Sequence, residues 1–343
     1  MSPGALRSAL GLLASGASLS EEQSAAAFGE VMLGDASGVQ IAALLMGLRV
    51  KGETPSEVAG AARALRRAMT VLDAPDAASL VDTCGTGGGA VATFNISTAA
   101  ALLVAGAGAR VAKHGNRSFT SRSGSADVLE ALGVAIDLSV DRMREVLDRA
   151  GIVFMFAPTM HPAMRHVGPV RRELAIPTLM NLVGPLANPA AAGRQVIGVA
   201  DPARHELMAR ALAALGTGHS LVVHGAPGMD EVSPLGPTVV YECRGHELQR
   251  WEIDPDTLGL RTRDAADLAG GEPAENAALI VDVLEGRGRA GARAAVLLNA
   301  AAAACVAGLA DGMHESLALV RAALDDGAGL AALNRLREAA PHQ

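Results

Sequence analysis

The stretch from Leu80 to Leu132 constrains this 343-residue chain most, because a short apolar strand (Leu80, Val81) runs straight into Gly85-Thr86-Gly87-Gly88-Gly89. Glycines let backbone N–H groups come close to a ligand, as they do around phosphate oxygens. Asn95-Ile96-Ser97-Thr98 then precedes an alanine-rich helix, Ala99–Ala107, which Asn95 or Ser97 can cap. The positive end of that helix faces the same anion. Beyond a second strand, Arg110–Ala112, the segment Lys113-His114-Gly115-Asn116-Arg117-Ser118 brings cations and hydrogen-bond donors. Together these three anion-binding devices imply a phosphate ligand with two or more charges.

For the glycine run alone, a loop without any ligand stays open as a reading. Gly85-x-Gly87-x-x-Ala90 fits a permissive dinucleotide fingerprint, but the place of its ribose-holding acid is taken by Lys113 and His114. A Walker loop needs Gly-Lys-Ser/Thr at its end, which the chain lacks. A net charge of −7 and 2% aromatic residues argue against a nucleic-acid partner. Cys84, Cys243 and Cys305 are scattered and odd in number, so neither disulfides nor a zinc knuckle is expected, and a reducing cytoplasm fits. No apolar run clearly reaches the length of a membrane span.

The chain divides in two. From Ala5 to Met69 the pattern is helical, with capping boxes at Ser20–Gln23 and Thr54–Glu57, and Val39–Leu48 is apolar around most of its circumference. The polar joint Val71–Asp76 marks a boundary, giving a small helical domain over 1–72 and a larger domain over 73–343. In the latter, strands at Leu80–Asp82, Arg110–Ala112, Ile152–Phe156, Gln195–Ala200 and Ser220–His224 alternate with helices at Ala99–Ala107, Asp127–Leu132, Val140–Ala150 and Arg204–Leu215. That alternation predicts an α/β fold with a central, largely parallel sheet and ligands at the carboxyl ends of its strands. Val239–Ile253 reads as a hairpin turning at Arg244-Gly245, and Glu275–Leu284, Ala292–Leu309 and Leu317–Leu324 as closing helices, the middle one stopped by Gly308. His161 and His166 are five apart, a poor helical spacing for two ligands of one metal, so no zinc site is expected there. Cys84 is read as a buried side chain and not as a nucleophile.

The run GTGGG…TFNIST…VAKHGNRS…SGSADVLEALG resembles the phosphoribosyl-pyrophosphate (PRPP) signature of the anthranilate phosphoribosyltransferase family. HPAMRHVGPVRREL, NLVGPLANP and Gly228-Met229-Asp230-Glu231 resemble further blocks of it, and the likeness runs from about Leu6 to the final helix. The resemblance implies a nucleoside phosphorylase/phosphoribosyltransferase-like fold in which about 168–187 rejoins the helical domain, with dimerisation through that domain. It implies PRPP contacts from Gly85, Gly88, Gly89, Thr93, Asn95, Ile96, Ser97, Thr98, Lys113, Asn116, Ser121 and Ser125. Anthranilate would be met by Gly85, Asn116 and Arg171, and His114 would orient substrate or collect the released proton. Mg²⁺ would be held by Asp230, Glu231 and the Ser97 hydroxyl, since Mg²⁺ prefers one or two carboxylates plus phosphate oxygens. The family usually carries Asp then Gly after GTGG; here Gly89-Ala90 stands instead, which puts the Mg²⁺ dependence in question. A pyrimidine-nucleoside phosphorylase and a non-catalytic nucleic-acid-binding relative are the alternatives. The Asp230-Glu231 pair and the HPAM…VRREL block count against the first, and the acidic balance and the intact KHGNRS segment against the second.

Overall fold

The computed structural model describes residues 4–118 and 122–342, so Ser121, one of the expected PRPP contacts, lies outside the described residues. Four helices open the chain: α1 (Ala5–Ala14), α2 (Glu21–Leu33), α3 (Gly38–Lys51) and α4 (Pro55–Ala68). Reciprocal capping boxes at Ser20–Gln23 and Thr54–Glu57 start α2 and α4, and a third at Ser37–Gln40 starts α3. Glu57 does more than cap. Fully buried, it accepts hydrogen bonds from Leu19 N (2.8 Å), Thr54 N (2.8 Å) and Lys51 Nζ (3.0 Å), so its charge is paired and the starts of α2 and α4 are tied together.

The next elements are β1 (Val81–Gly85), α5 (Ile96–Gly106), β2 (Val111–Gly115), α6 (Ser125–Ala131), α7 (Val140–Ala150) and β3 (Ile152–Phe156). Short helices α8 (Ala157–Met160), α9 (Met164–Leu174) and α10 (Met180–Val183) lead to β4 (Arg194–Gly198), α11 (Pro202–Leu215) and β5 (Thr217–Gly225). The hairpin β6 (Thr238–Gly245) and β7 (Glu247–Ile253) precedes α12 (Pro273–Leu284), α13 (Ala290–Ala307), α14 (Gly312–Asp325) and α15 (Ala328–Ala339). The seven strands form one sheet in the order β3-β2-β1-β4-β5-β6-β7, parallel from β3 to β5, with β6 and β7 added antiparallel. The chain therefore steps outward from β1 to β3 and returns on the other side of β1 at β4. Between β1 and β4 the order reverses, and the carboxyl ends of strands at such a point are where open α/β sheets bind ligands.

Two hydrophobic clusters lie among the described residues. One gathers α5, α13 and α15 with side chains from the sheet; the other gathers α1–α4 with α11 and takes in Val167, Leu179, Leu182, Val183 and Leu186 from the α9–α10 region. Among the described residues α13 is the one helix long and apolar enough to cross a membrane, and 83% of it is buried inside the protein. Gly308, at φ 71°, stops it as its position suggested.

Several elements differ from the expectation. β1 and β2 extend through Gly85 and Gly115, so Lys113 and His114 belong to a strand and not to the loop after it. α5 begins at Ile96, three residues early, α14 is longer than Leu317–Leu324, and α15 has no counterpart in the sequence reading. The ends moved because pairing and packing with neighbours carried each element past its own apolar stretch.

Candidate active site at the strand-order switch

Gly85 of β1 and Gly198 of β4 stand opposite each other in register at the switch point. Neither position has room for a side chain: a Cβ on Gly198 would lie 1.7 Å from the Asp230 carbonyl oxygen, and one on Gly85 2.5 Å from Asp230 Oδ2. The bare strand ends thus admit the β5–β6 connection, which carries Asp230 and Glu231, against the sheet. The glycine run folds down on this connection. Gly87 N donates to Asp230 Oδ2 (2.7 Å) and Ala90 N to the Gly228 carbonyl (2.8 Å), with Gly87 and Gly88 at φ 71° and 78°.

Glu231 is pushed up to about 8, by burial first and then by Asp230, while Lys113 opposes. Burial raises Asp230 as well, with the Gly87 amide opposing. Lys113 lies beneath them, buried, its ammonium on the Thr83 carbonyl and 3.3 Å from Ser97 Oγ; burial lowers its pKa, against the pull of Asp82, Cys84 and Glu231. A cavity of about 10 Å³ lined by Thr83, Cys84, Ser97, Glu231 and Asn299 has room for about one water. No cluster of three or more His, Cys, Asp or Glu that could cage a metal exists among the described residues. Two under-compensated carboxylates beside one hydroxyl are a hard-oxygen set, which fits a Mg²⁺ that draws its other ligands from phosphate and water.

The start of α5 differs from the simple cap. Asn95 occupies the N-cap position but its side chain makes no cap bond. Its Oδ1 accepts from Asn276 Nδ2 (2.9 Å) and Ser123 Oγ (3.2 Å), and its Nδ2 donates to the Ser123 carbonyl (3.1 Å). Ile96 N and Thr98 N are bonded to the Phe94 and Asn95 carbonyls, whereas the Ser97 amide faces Glu231. Ile96 and Thr98 are buried and the Thr98 hydroxyl has no partner, so of these residues Ser97 is the one that offers polar atoms to the site.

On the other face of the sheet, His114 Nε2 meets His161 Nε2 at 3.2 Å. Burial, then His161 and Lys113, push His114 down to about 3; burial pushes His161 down to about 4. Both rings are neutral near pH 7, one donating to the other. His166, five residues on, lies instead against Gly34, where a Cβ would be 2.6 Å from its ring. The His114 backbone is held by Asp82, which is wholly buried and hydrogen-bonded to Asn188 at 2.8 Å.

Gly115 and Gly124 make space for the following turn: a Cβ on Gly115 would lie 2.1 Å from Ser125 Oγ, and one on Gly124 would strike the Asn116 carbonyl and Ser118 N. Ser125 Oγ donates to the Asn116 carbonyl, and Asn116 Oδ1 accepts from Arg117 N. Arg117 itself is turned outward to Asp127 and Glu130. Thr93 is half-buried next to the Phe94 anchor. Arg171, in the last turn of α9, is half-buried with its pKa lowered by burial; it has no acidic partner among the described residues and makes no hydrogen bond to Asn116 or His114. Gly198, Asn276 and Asn299 join the site without any local sequence signal.

The chain matches the model of a glycosyl transferase family a/b domain over residues 77–330 and that of its helical bundle domain over residues 7–69. It is 52% identical over 324 residues to the anthranilate phosphoribosyltransferase of Roseiflexus castenholzii, covering 94% of each chain. To that of Rubrobacter xylanophilus it is 50% identical over 330 residues, covering 96% of each. The crystal structure of the Thermus thermophilus anthranilate phosphoribosyltransferase superposes with a TM-score of 0.91 at 41% identity, over 98% of this chain and 99% of that one. The Saccharomyces cerevisiae enzyme in complex with PRPP and Mg superposes with a TM-score of 0.87 at 26% identity, over 97% of each chain.

Proposed function

The chain belongs to the anthranilate phosphoribosyltransferases, pentosyltransferases of tryptophan biosynthesis, and on that premise we propose how its own residues carry out the transfer. The reaction moves the 5-phosphoribosyl group of PRPP to the amine of anthranilate and releases pyrophosphate. As the ribose C1–oxygen bond breaks, positive charge builds on the sugar and negative charge on the departing diphosphate, so preorganised charge around the latter is the chief requirement. The observation that carries the assignment is the meeting of the glycine run, Lys113, Ser97 and the Asp230-Glu231 pair at one switch point.

The Gly85–Gly89 amides and Lys113 would bind phosphate oxygens, with Thr93, Ser125 and the Asn95–Thr98 backbone bordering them. Mg²⁺ held by Asp230, Glu231 and Ser97 would neutralise the diphosphate. An arylamine is neutral at pH 7 and attacks without prior deprotonation, so orientation matters more than a strong base. Arg171, a desolvated cation lacking an acidic partner among the described residues, suits the anthranilate carboxylate once the two halves close, with Asn116 beside it. His114 orients as a neutral imidazole; a group held at about 3 is a poor store for the released proton. Neither the pyrimidine-nucleoside phosphorylase nor the nucleic-acid-binding alternative is retained.

The same reading takes 1–72, rejoined by about 168–187, as a domain closing on 73–343, in a cytoplasmic homodimer. Val39 and Val50, 81% and 80% exposed about three turns apart on one face of α3, together with Leu33 at 75%, support pairing through the helical part; sedimentation at the monomer mass would remove it. The test of function is loss of anthranilate fluorescence on addition of PRPP and Mg²⁺, with Arg171→Ala and Asp230→Ala alongside. Retained turnover in both variants would mean that the acceptor pocket and the cation lie elsewhere.

A further inference from the structure

Apart from Gly291, Arg293 and Cys305, α13 is built of Ala, Val and Leu around one buried polar residue, Asn299. That amide does not serve its own helix alone. Asn299 Oδ1 accepts from Val232 N (2.9 Å) and its Nδ2 donates to the Val232 carbonyl (2.9 Å), a two-way pairing of the kind one strand makes with another. A third bond, Nδ2 to the Ala295 carbonyl (2.9 Å), locks the rotamer. Every donor on the side chain is thereby spent, and the side chain is 3% exposed. Val232 directly follows Glu231, and Asn299 also lines the small cavity shared with Glu231 and Ser97. α13 packs along α5, whose first turn carries Ser97, and against β1 and β4, whose ends carry Gly85 and Gly198.

We infer that Asn299 is a positioning residue for the metal site: it clamps the Asp230–Glu231 loop to α13, so that one rigid helix sets the separation of Glu231 from Ser97. This rests on the proposed Mg²⁺ reading of those three residues. A buried amide is retained in an apolar helix when its bonds are complete, and outer partners of metal ligands tune affinity by fixing where the ligands stand.

The probe is Mg²⁺ with inorganic pyrophosphate, titrated calorimetrically into the full-length protein. Asn299→Ala and Asn299→Asp, the latter keeping the acceptor for Val232 N, should each weaken Mg²⁺-dependent pyrophosphate binding by about ten-fold or more, with KM for anthranilate changed less than about two-fold. Val296→Ala, which trims a buried side chain of the same helix and leaves the Asn299 amide and its bonds to Val232 in place, should lower the melting temperature and leave Mg²⁺·pyrophosphate affinity unchanged. Equal weakening by Val296→Ala, or unchanged affinity in both Asn299 variants, overturns the clamp alone. Pyrophosphate binding by the wild-type protein that ignores Mg²⁺ removes the metal reading and the clamp's role with it. A measurement needing no variant stands beside these: the Val232 amide of the ligand-free protein should exchange hydrogen as slowly as the core of α13, and fast exchange contradicts the clamp.

Discussion

Lys113 and His114 are neighbours in the chain, yet they leave β2 through opposite faces of the sheet: Lys113 reaches Thr83 and Ser97, while His114 meets His161. The strand thereby supplies a cation to the side of Ser97 and the Asp230-Glu231 pair and a neutral ring to the other side.

That neutral ring has a pH signature. His114 and His161 fall from 6.5 to about 3 and about 4 on folding, so the unfolded chain takes up their protons first as pH drops. The contribution of these two rings is flat above about pH 6.5 and is lost below it, by up to ~1.4 kcal/mol per pH unit for each ring. Glu231, held at about 8, contributes in the opposite sense and loses its share as pH rises towards 8. His114→Gln should flatten the fall of melting temperature between pH 6.5 and 4. An unaltered slope would mean that this ring is charged in the folded protein.

Arg171→Ala should raise KM for anthranilate by about ten- to a hundred-fold, the scale of a lost charge-assisted hydrogen bond. KM for PRPP and the melting temperature should stay, since Arg171 has no acidic partner among the described residues. Lysine at this position should restore little of the affinity, because a carboxylate is matched by the guanidinium fork. Steady-state kinetics in both substrates decide it.

Gly89 stands where the resemblance of the glycine run leads one to expect Asp. A Cβ there would lie 3.2 Å from the Gly228 carbonyl oxygen and 3.4 Å from Asp230 Oδ1. Gly89→Asp should lower the melting temperature of the ligand-free protein, through crowding and like charge, and shift the Mg²⁺ concentration for half-maximal rate downward by roughly five-fold, the scale of ~1 kcal/mol. An unchanged Mg²⁺ curve would place residue 89 outside the cation's reach.

Gly198→Ala tests the glycine pair at the switch point. The added methyl group collides with the Asp230 backbone, so the carboxylate loop must lift. Overpacking of this kind costs about 1–3 kcal/mol. Differential scanning calorimetry should show that loss, and Mg²⁺-dependent pyrophosphate binding should disappear with it.

Much of this arrangement was readable in the chain. The capping boxes at Ser20 and Thr54 and the limits of α7 and β3 follow from local chemistry and stand where expected. The glycine run and the Asp230-Glu231 loop could be singled out as short motifs, although their contact through Gly87 depends on a separation of 143 residues. Asn276 and Asn299 carry no local mark, since an asparagine in an apolar helix identifies its partner only once the fold has brought one. Asn95 read as a helix cap because its position is that of a cap; Asn276 and Ser123 claimed its amide instead.

The return of the chain from β3 to β4 leaves neither half of the polypeptide with a complete pocket. A fragment ending before β4 keeps the glycine run, Lys113 and Ser97 but loses both carboxylates and Asn299; its complement keeps those and lacks the other three. The candidate site is a seam that only the joined chain assembles.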